Sequence, residues 1–158
     1  MAHARKALRD FGPLLKLDEV SATDYDAVVL PGGHGPVVDL FQDAYLGRLL
    51  VEADRAGKII GAVCHGPAAL LSAVDERGGW IFSGRRMAAF TDEEERLFGT
   101  ADNAPWLLAS RLREMGARHE HGAPYQAFTI QDAHLFTGQN PASSAPMADA
   151  INTAPAAG

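Results

Sequence analysis

Cys64 is the only cysteine in the chain, and the residues around it are those that make a thiol reactive. It lies in IIGAVCHGPAALL, residues 59–71, where an apolar run stops at Cys64 and a helix begins within three residues. A nucleophile on so tight a turn projects from a sheet edge and faces the amide dipoles of the helix start. Those dipoles favour the thiolate, so a lowered Cys64 pKa is expected. Gly66 lets the backbone turn closely, and Pro67 suits a first helical turn, where its missing N–H costs nothing. The arrangement parallels the serine elbow of hydrolases, with sulfur in place of oxygen. A lone cysteine taken by itself is as readily a small packed hydrophobe; strand, Cys-His-Gly-Pro and helix together select the reactive thiol. His65 can act as acid and base if the turn swings its ring toward Cys64, and it then needs an orienting carboxylate. Otherwise it caps the turn, and spacing leaves both roles open.

Pro31-Gly32-Gly33-His34-Gly35 follows a second apolar run. Glycines there allow backbone N–H groups to point at a ligand, as an oxyanion site requires. The loop lacks both GxGxxG and Walker A spacing, and alone it is an ordinary strand-to-helix turn. With Cys64 on another strand end, a functional loop is favoured. Asp92-Glu93-Glu94-Glu95 sits in a first helical turn, where the dipole stabilises carboxylates, so a solvated helix start accounts for most of the run. His119 and His121 flank Glu120 as an HxH pair without a third ligand at suitable spacing, so both are expected at the surface and no metal site is expected. Gln139-Asn140-Pro141-Ala142-Ser143-Ser144 is a polar turn that either reaches the pocket or caps the helix after it.

The elements that must position these residues are legible as alternating strands and helices. Residues 2–19 read as a short helix and connector, broken at Gly12-Pro13. Residues 27–30 and 59–63 are continuous apolar runs bounded by turn residues, the pattern of strands buried on both faces. Leu46, Leu49, Leu50 and Ala53 recur at helical spacing, with Gly57 as the closing cap. A helix over residues 67–74 follows Cys64, and residues 86–90 are expected as a third strand. Thr91 and Glu94 have capping-box spacing for a helix through Phe98. Pro105 is expected to open another helix, with Leu108, Leu112 and Met115 on one face and Gly116 at its end. Residues 127–131 and 134–137 read as a hairpin about Asp132-Ala133. Such alternation implies a mostly parallel sheet with helices on both faces, and functional residues gather at the carboxyl ends of its strands.

The chain has 158 residues, 47% apolar and 22% charged, which suits one globular domain. Its net charge of −6 and scattered basic residues argue against nucleic acid as a partner. No apolar run approaches the ~20 residues of a membrane helix, and no apolar stretch of signal-peptide length opens the sequence. One cysteine permits no intrachain disulfide, which fits a reducing compartment; a cytoplasmic location is expected.

Asp24 with YDAVVLPGGHGPVVDL (25–40), AVCHGPAALL (62–71), FTDEEE (90–95) and TGQNPASS (137–144) together resemble the ThiJ/PfpI (DJ-one) superfamily, class I glutamine amidotransferase-like proteins, and within it the glyoxalase III and stress-chaperone-like branch. The resemblance runs from about Val20 to Ile151. It implies a flavodoxin-like three-layer sandwich, a homodimer, a small-molecule aldehyde substrate and no cofactor. It also assigns Cys64 and His65 as nucleophile and acid–base, and Glu95, through FTDxxE, as the carboxylate that orients His65. The oxyanion and substrate site falls on Gly32, Gly33 and His34, with the N–H groups of Gly33 and His65 as donors. The implied activity is a glutathione-independent glyoxalase, a lyase converting methylglyoxal-type α-oxoaldehydes to 2-hydroxy acids such as D-lactate, with deglycase or holdase-type stress protection. A non-catalytic redox-sensing domain and a cysteine amidase or peptidase are the alternatives. Family members carry a further strand, helix and strand at the start, with a catalytic glutamate after the first strand. Residues 1–158 are therefore expected to form a single domain without that opening strand and acid, Met1 being an internal methionine or the start of a fragment.

Overall fold

The computed structural model describes residues 14–155. Most of the helix expected over residues 2–19 lies outside that range, and Leu17–Glu19 is a single 3-10 turn. The elements are β1 (Ala27–Leu30), α1 (Gly35–Val38), α2 (Ala44–Arg55), β2 (Ile59–Val63), a 3-10 helix (Gly66–Ser72), β3 (Arg86–Met87), α3 (Asp92–Phe98), α4 (Leu108–Glu114), β4 (Arg118–His119), β5 (Thr129–Asp132), β6 (Leu135–Gly138) and α5 (Ser144–Thr153).

β1, β2, β6 and β5 pair in that order. The pairs β1/β2 and β2/β6 are parallel, with Val29 opposite Gly61 and Ala62 opposite Thr137, and the β5/β6 hairpin is antiparallel. The result is a mixed α/β fold with a mostly parallel central sheet, flavodoxin-like as the sequence implies. β2 shows how alternation sorts the layers. Ile60 and Ala62 enter the larger core with Leu49, Leu50, Leu70, Phe82 and Leu112. Val63 faces the other way, toward Phe136, Met147 and Ile151. α5 lies so close to that second face that a Cβ on Gly61 would come within 2.7 Å of Ile151 Cδ1. The start of α2 is fixed by Asp43, whose Oδ1 accepts the Leu46 N–H at 2.8 Å, and its end by Gly57 at φ 64°. Burial of side chains such as Leu49 and Leu50 stabilises the layer by about 1.5–3 kcal/mol each.

Several boundaries differ from expectation for identifiable reasons. β1 is not buried on both faces: among the described residues it lies at the sheet's edge, and Val29 is 49% exposed beside the part of the sheet that α5 covers. The segment after Cys64 is a 3-10 helix ending at Ser72, with all of its residues buried. It packs backbone to backbone: a Cβ on Gly66 would lie 2.1 Å from the Leu30 carbonyl, and one on Gly47 would lie 2.2 Å from that of Ser72. The third strand shortens to Arg86–Met87, paired with β4 in a separate two-stranded sheet. Beyond it, the Ala88 N–H donates to the Thr137 hydroxyl instead of a ladder carbonyl. Pro105 lies in a turn, and α4 begins at Leu108. The hairpin turns at Ala133, which adopts φ 52°.

Candidate active site

Cys64 follows β2 directly. Its N–H still donates to the Gly138 carbonyl at 2.9 Å, as though the strand continued, while its own φ is 61°. A non-glycine residue in the left-handed region is strained, and here the strain turns the thiol out of the sheet. Room for it comes from the loop after β1: a Cβ on Gly32 would stand 2.7 Å from Cys64 Cβ and 3.2 Å from its Sγ. Gly33 takes φ 101°, and the backbone N–H groups of Gly33 and His65 lie near the thiol and favour its anion.

The turn also brings the His65 ring back over the thiol, with Nδ1 3.4 Å from Sγ. His65 Nε2 lies 2.9 Å from Glu95 Oε2, which reaches it from the first turn of α3. A carboxylate only accepts, so Nε2 carries the proton and Nδ1 is left to accept from the thiol. The ring is clamped between His34 and Phe90, each with its centroid 4.6 Å away. Thr100 Oγ1 donates to Glu95 Oε1 at 2.9 Å, and His34 Nε2 lies 3.7 Å from the same oxygen. His34 is itself exposed at the rim, whereas His65 and Glu95 are buried.

Electrostatics correct one expectation. The Cys64 thiol is pushed up, not down: burial is the main cause, the N–H groups of His65 and Gly33 oppose it, and the charges of Glu94 and Glu95 reinforce it. Burial likewise pushes His65 down against the pull of Glu95. Both shifts favour a neutral thiol facing a neutral imidazole.

The site opens on a cavity of about 290 Å³ lined by Gly33, His34, Cys64, His65, Phe90, Phe98, Tyr125 and Pro141. All six residues singled out from the sequence, Gly32, Gly33, His34, Cys64, His65 and Glu95, therefore converge. Phe98, Tyr125 and Thr100 were not foreseen, since nothing local marks them. Of the two roles open to the polar turn, the first is seen, since Pro141 lines the cavity; the capping box of Asn140 and Ser143 closes the 3-10 turn Pro141–Ser143, and α5 starts at Ser144 without a side-chain cap.

Glu94 has a different task. Its carboxylate is fully buried and takes the Tyr125 N–H and Asn140 Nδ2, each at 2.8 Å, along with the N–H and hydroxyl of Thr91. It thereby ties two cavity loops to α3, with Tyr125 held at φ 60°. Burial pushes Glu94 up, yet these donors outweigh it and its pKa is lowered. The histidine pair also differs from expectation. His121 is exposed, but His119 is half-buried with its Nε2 inside, since it is the β4 residue paired with the buried Met87 of β3. Among the described residues, His34, His65 and Glu95 are the His, Cys, Asp or Glu set that offers three metal-ligand atoms within 4.8 Å of one another.

No helix among the described residues is long and apolar enough to cross a membrane. Glutamine amidotransferase-like class 1 domain-containing protein 1 of Bos taurus is 31% identical over 140 residues, covering 88% of this chain and 63% of its own length. Glyoxalase 3 of Candida albicans is 29% identical over 144 residues, covering 87% and 61%. The structure of Rapid Encystment Protein 24 KDa of Francisella tularensis superposes with a TM-score of 0.83 at 32% identity, over 87% of this chain and 61% of that one. The chain thus spans about three-fifths of the length of these relatives. The sequence profile of one family accounts for residues 9–153, elbow, Gly-Gly loop and carboxylate helix included, and the chain belongs to the DJ-1/PfpI family.

Proposed function

We propose that this chain acts as a glutathione-independent glyoxalase, converting methylglyoxal-type α-oxoaldehydes to 2-hydroxy acids. One observation carries the reading: the Cys64–His65–Glu95 relay, 3.4 and 2.9 Å between partners, opens on a mostly apolar cavity with two backbone N–H groups near the sulfur. A cavity of about 290 Å³ suits a three-carbon aldehyde. The similarity to Glyoxalase 3 of Candida albicans supports the same reaction class.

The chemistry follows from the resting protonation. As Sγ bonds to the aldehyde carbon, the thiol proton passes to His65 Nδ1, and Glu95 stabilises the imidazolium through Nε2–H. The carbonyl π pair moves to oxygen, where the Gly33 and His65 N–H groups receive the developing charge. His65 returns its proton to that oxygen, giving a hemithioacetal and a neutral ring. The ring then takes the proton from the former aldehyde carbon, forming an enediolate; the hydroxyl proton on that carbon passes to the former ketone oxygen, and the ring delivers its own proton to the former ketone carbon, leaving a thioester. The aldehyde carbon is oxidised and the ketone carbon reduced within one molecule, so no external oxidant is needed. Water cleaves the resulting thioester, releasing the 2-hydroxy acid and regenerating the thiol. A homodimer, drawn from the family resemblance, and a cytoplasmic location, drawn from the single cysteine, are part of the same proposal.

The test is D-lactate formation from methylglyoxal by the purified chain and by Cys64→Ala. Turnover that vanishes in the variant supports the reading. An inactive chain that instead gains oxygen mass at Cys64 under peroxide selects the redox-sensing alternative.

A further inference from the structure

His34, His65 and Glu95 hold their ligand atoms within 4.8 Å of one another, and Glu95 reaches the Nε2 atoms of both rings. Its Oε2 is 2.9 Å from His65 Nε2, and its Oε1 is 3.7 Å from His34 Nε2. Two imidazoles and a carboxylate are a donor set for zinc and neighbouring late first-row ions, whereas magnesium and calcium take oxygen ligands. A tetrahedral zinc bound at about 2.0–2.1 Å holds its ligand atoms roughly 3.3 Å apart, between the two separations measured. His65 and Glu95 need part by only a few tenths of an ångström. The His34 side chain, 51% exposed, is free to swing inward and gives the ion a route from solvent. Thr100, hydrogen-bonded to Glu95 Oε1, supplies an outer contact that orients the carboxylate.

We propose that His34, His65 and Glu95 form a binding site for zinc or a similar divalent ion, and that the ion inhibits the enzyme by seizing two members of the relay. Coordination at His65 Nε2 expels its proton to solvent. The thiol proton moves to Nδ1, which faces Cys64 Sγ at 3.4 Å. The ring then donates to sulfur and has no lone pair left with which to act as base. The inhibitory clause rests on the glyoxalase reading; the binding site does not.

The experiment titrates zinc chloride into metal-free chain by calorimetry, without aldehyde, with magnesium chloride as a control. One zinc per chain at micromolar affinity is expected, with no heat from magnesium. His34→Ala and Glu95→Gln should each weaken binding on the order of tenfold or more, and Cys64→Ala should leave it unchanged. His34 lies at the rim, so His34→Ala should fold normally, checked by circular dichroism. Zinc binding weaker than millimolar, binding indifferent to His34→Ala, or binding lost in Cys64→Ala (a thiolate site instead) would overturn the proposal. A chain that binds zinc as described but converts no aldehyde defeats the glyoxalase reading and leaves the site intact. Zinc that binds as described without slowing an active chain overturns the inhibitory clause.

Discussion

Glu94 and Glu95 are neighbours in one helical turn, both buried, and they serve two regions of the molecule in opposite ways. Glu95 faces the reacting side, where its partners are one ring N–H, one hydroxyl and the more distant His34. Glu94 faces the loops that wall the cavity and is saturated by donors: two backbone N–H groups, a side-chain amide and a hydroxyl. A carboxylate so saturated is locked as an anion and behaves as a structural staple. A carboxylate bound to a titrating ring keeps a partner whose charge can change. Residue type does not distinguish the two; the number and kind of donors around each does.

The largest effect expected from separating the two is on turnover. Glu95→Gln should lower D-lactate formation on the order of a hundredfold or more, because the amide no longer stabilises the imidazolium. Glu93→Gln, one residue before Glu94 on the same turn, should leave turnover near the parent value. Equal small effects at both positions would remove Glu95 from the relay. Next in size is stability. Glu94→Ala leaves the Tyr125 N–H and one of the two Asn140 amide N–H groups without an acceptor, the other staying on the Gln126 carbonyl, at about 1–3 kcal/mol each. A melting temperature lower by on the order of 10 °C is expected, read by differential scanning calorimetry. The sign of the pH dependence follows from the lowered pKa of Glu94. Its contribution is fully present above the unfolded-state value of about 4.3 and is lost as pH falls through the lower folded-state value. Glu94→Gln should therefore flatten the acid side of the stability profile; an unchanged profile would show that the staple is not charged.

How much of this is legible in the sequence depends on how far apart the interacting residues lie. The elbow is local: an apolar run, a cysteine and Gly-Pro within a few positions give strand, turn and nucleophile together. The capping box of Thr91 and Glu94 is local as well, and the structure keeps it. Glu95 is singled out by family resemblance, since its helix position looks like that of its neighbours. The second role of Glu94 was invisible, because its partners Tyr125 and Asn140 lie 31 and 46 residues away. Strand lengths fail for the same reason. Residues 86–90 have strand composition, but Ala88 finds its acceptor on Thr137, 49 residues on. The thiol pKa was misjudged because dipoles can be inferred from local order, whereas desolvation and the carboxylates across the cavity cannot.

The smallest effect tests that last point and joins both regions. Thiolate fraction sets the rate of iodoacetamide alkylation, so rate against pH reports the Cys64 pKa. In the native chain the midpoint should lie above 9.0, the ordinary value from which burial and the two carboxylates raise it. Glu94→Gln and Glu95→Gln each remove one negative charge near the sulfur, so each should bring the midpoint down, by less than burial raises it. The two variants then part company on turnover. Glu95→Gln holds more thiolate at neutral pH yet converts less aldehyde, because the imidazolium has lost its anion. That combination is incompatible with a preformed thiolate as the source of reactivity and requires His65 to accept the thiol proton during attack. The same scheme places the acid limb of kcat/KM below pH 6.5, since burial lowers His65 from that value. A native alkylation midpoint well below 9.0 would mean a resting thiolate–imidazolium pair instead, and the proton would already have moved before substrate arrives.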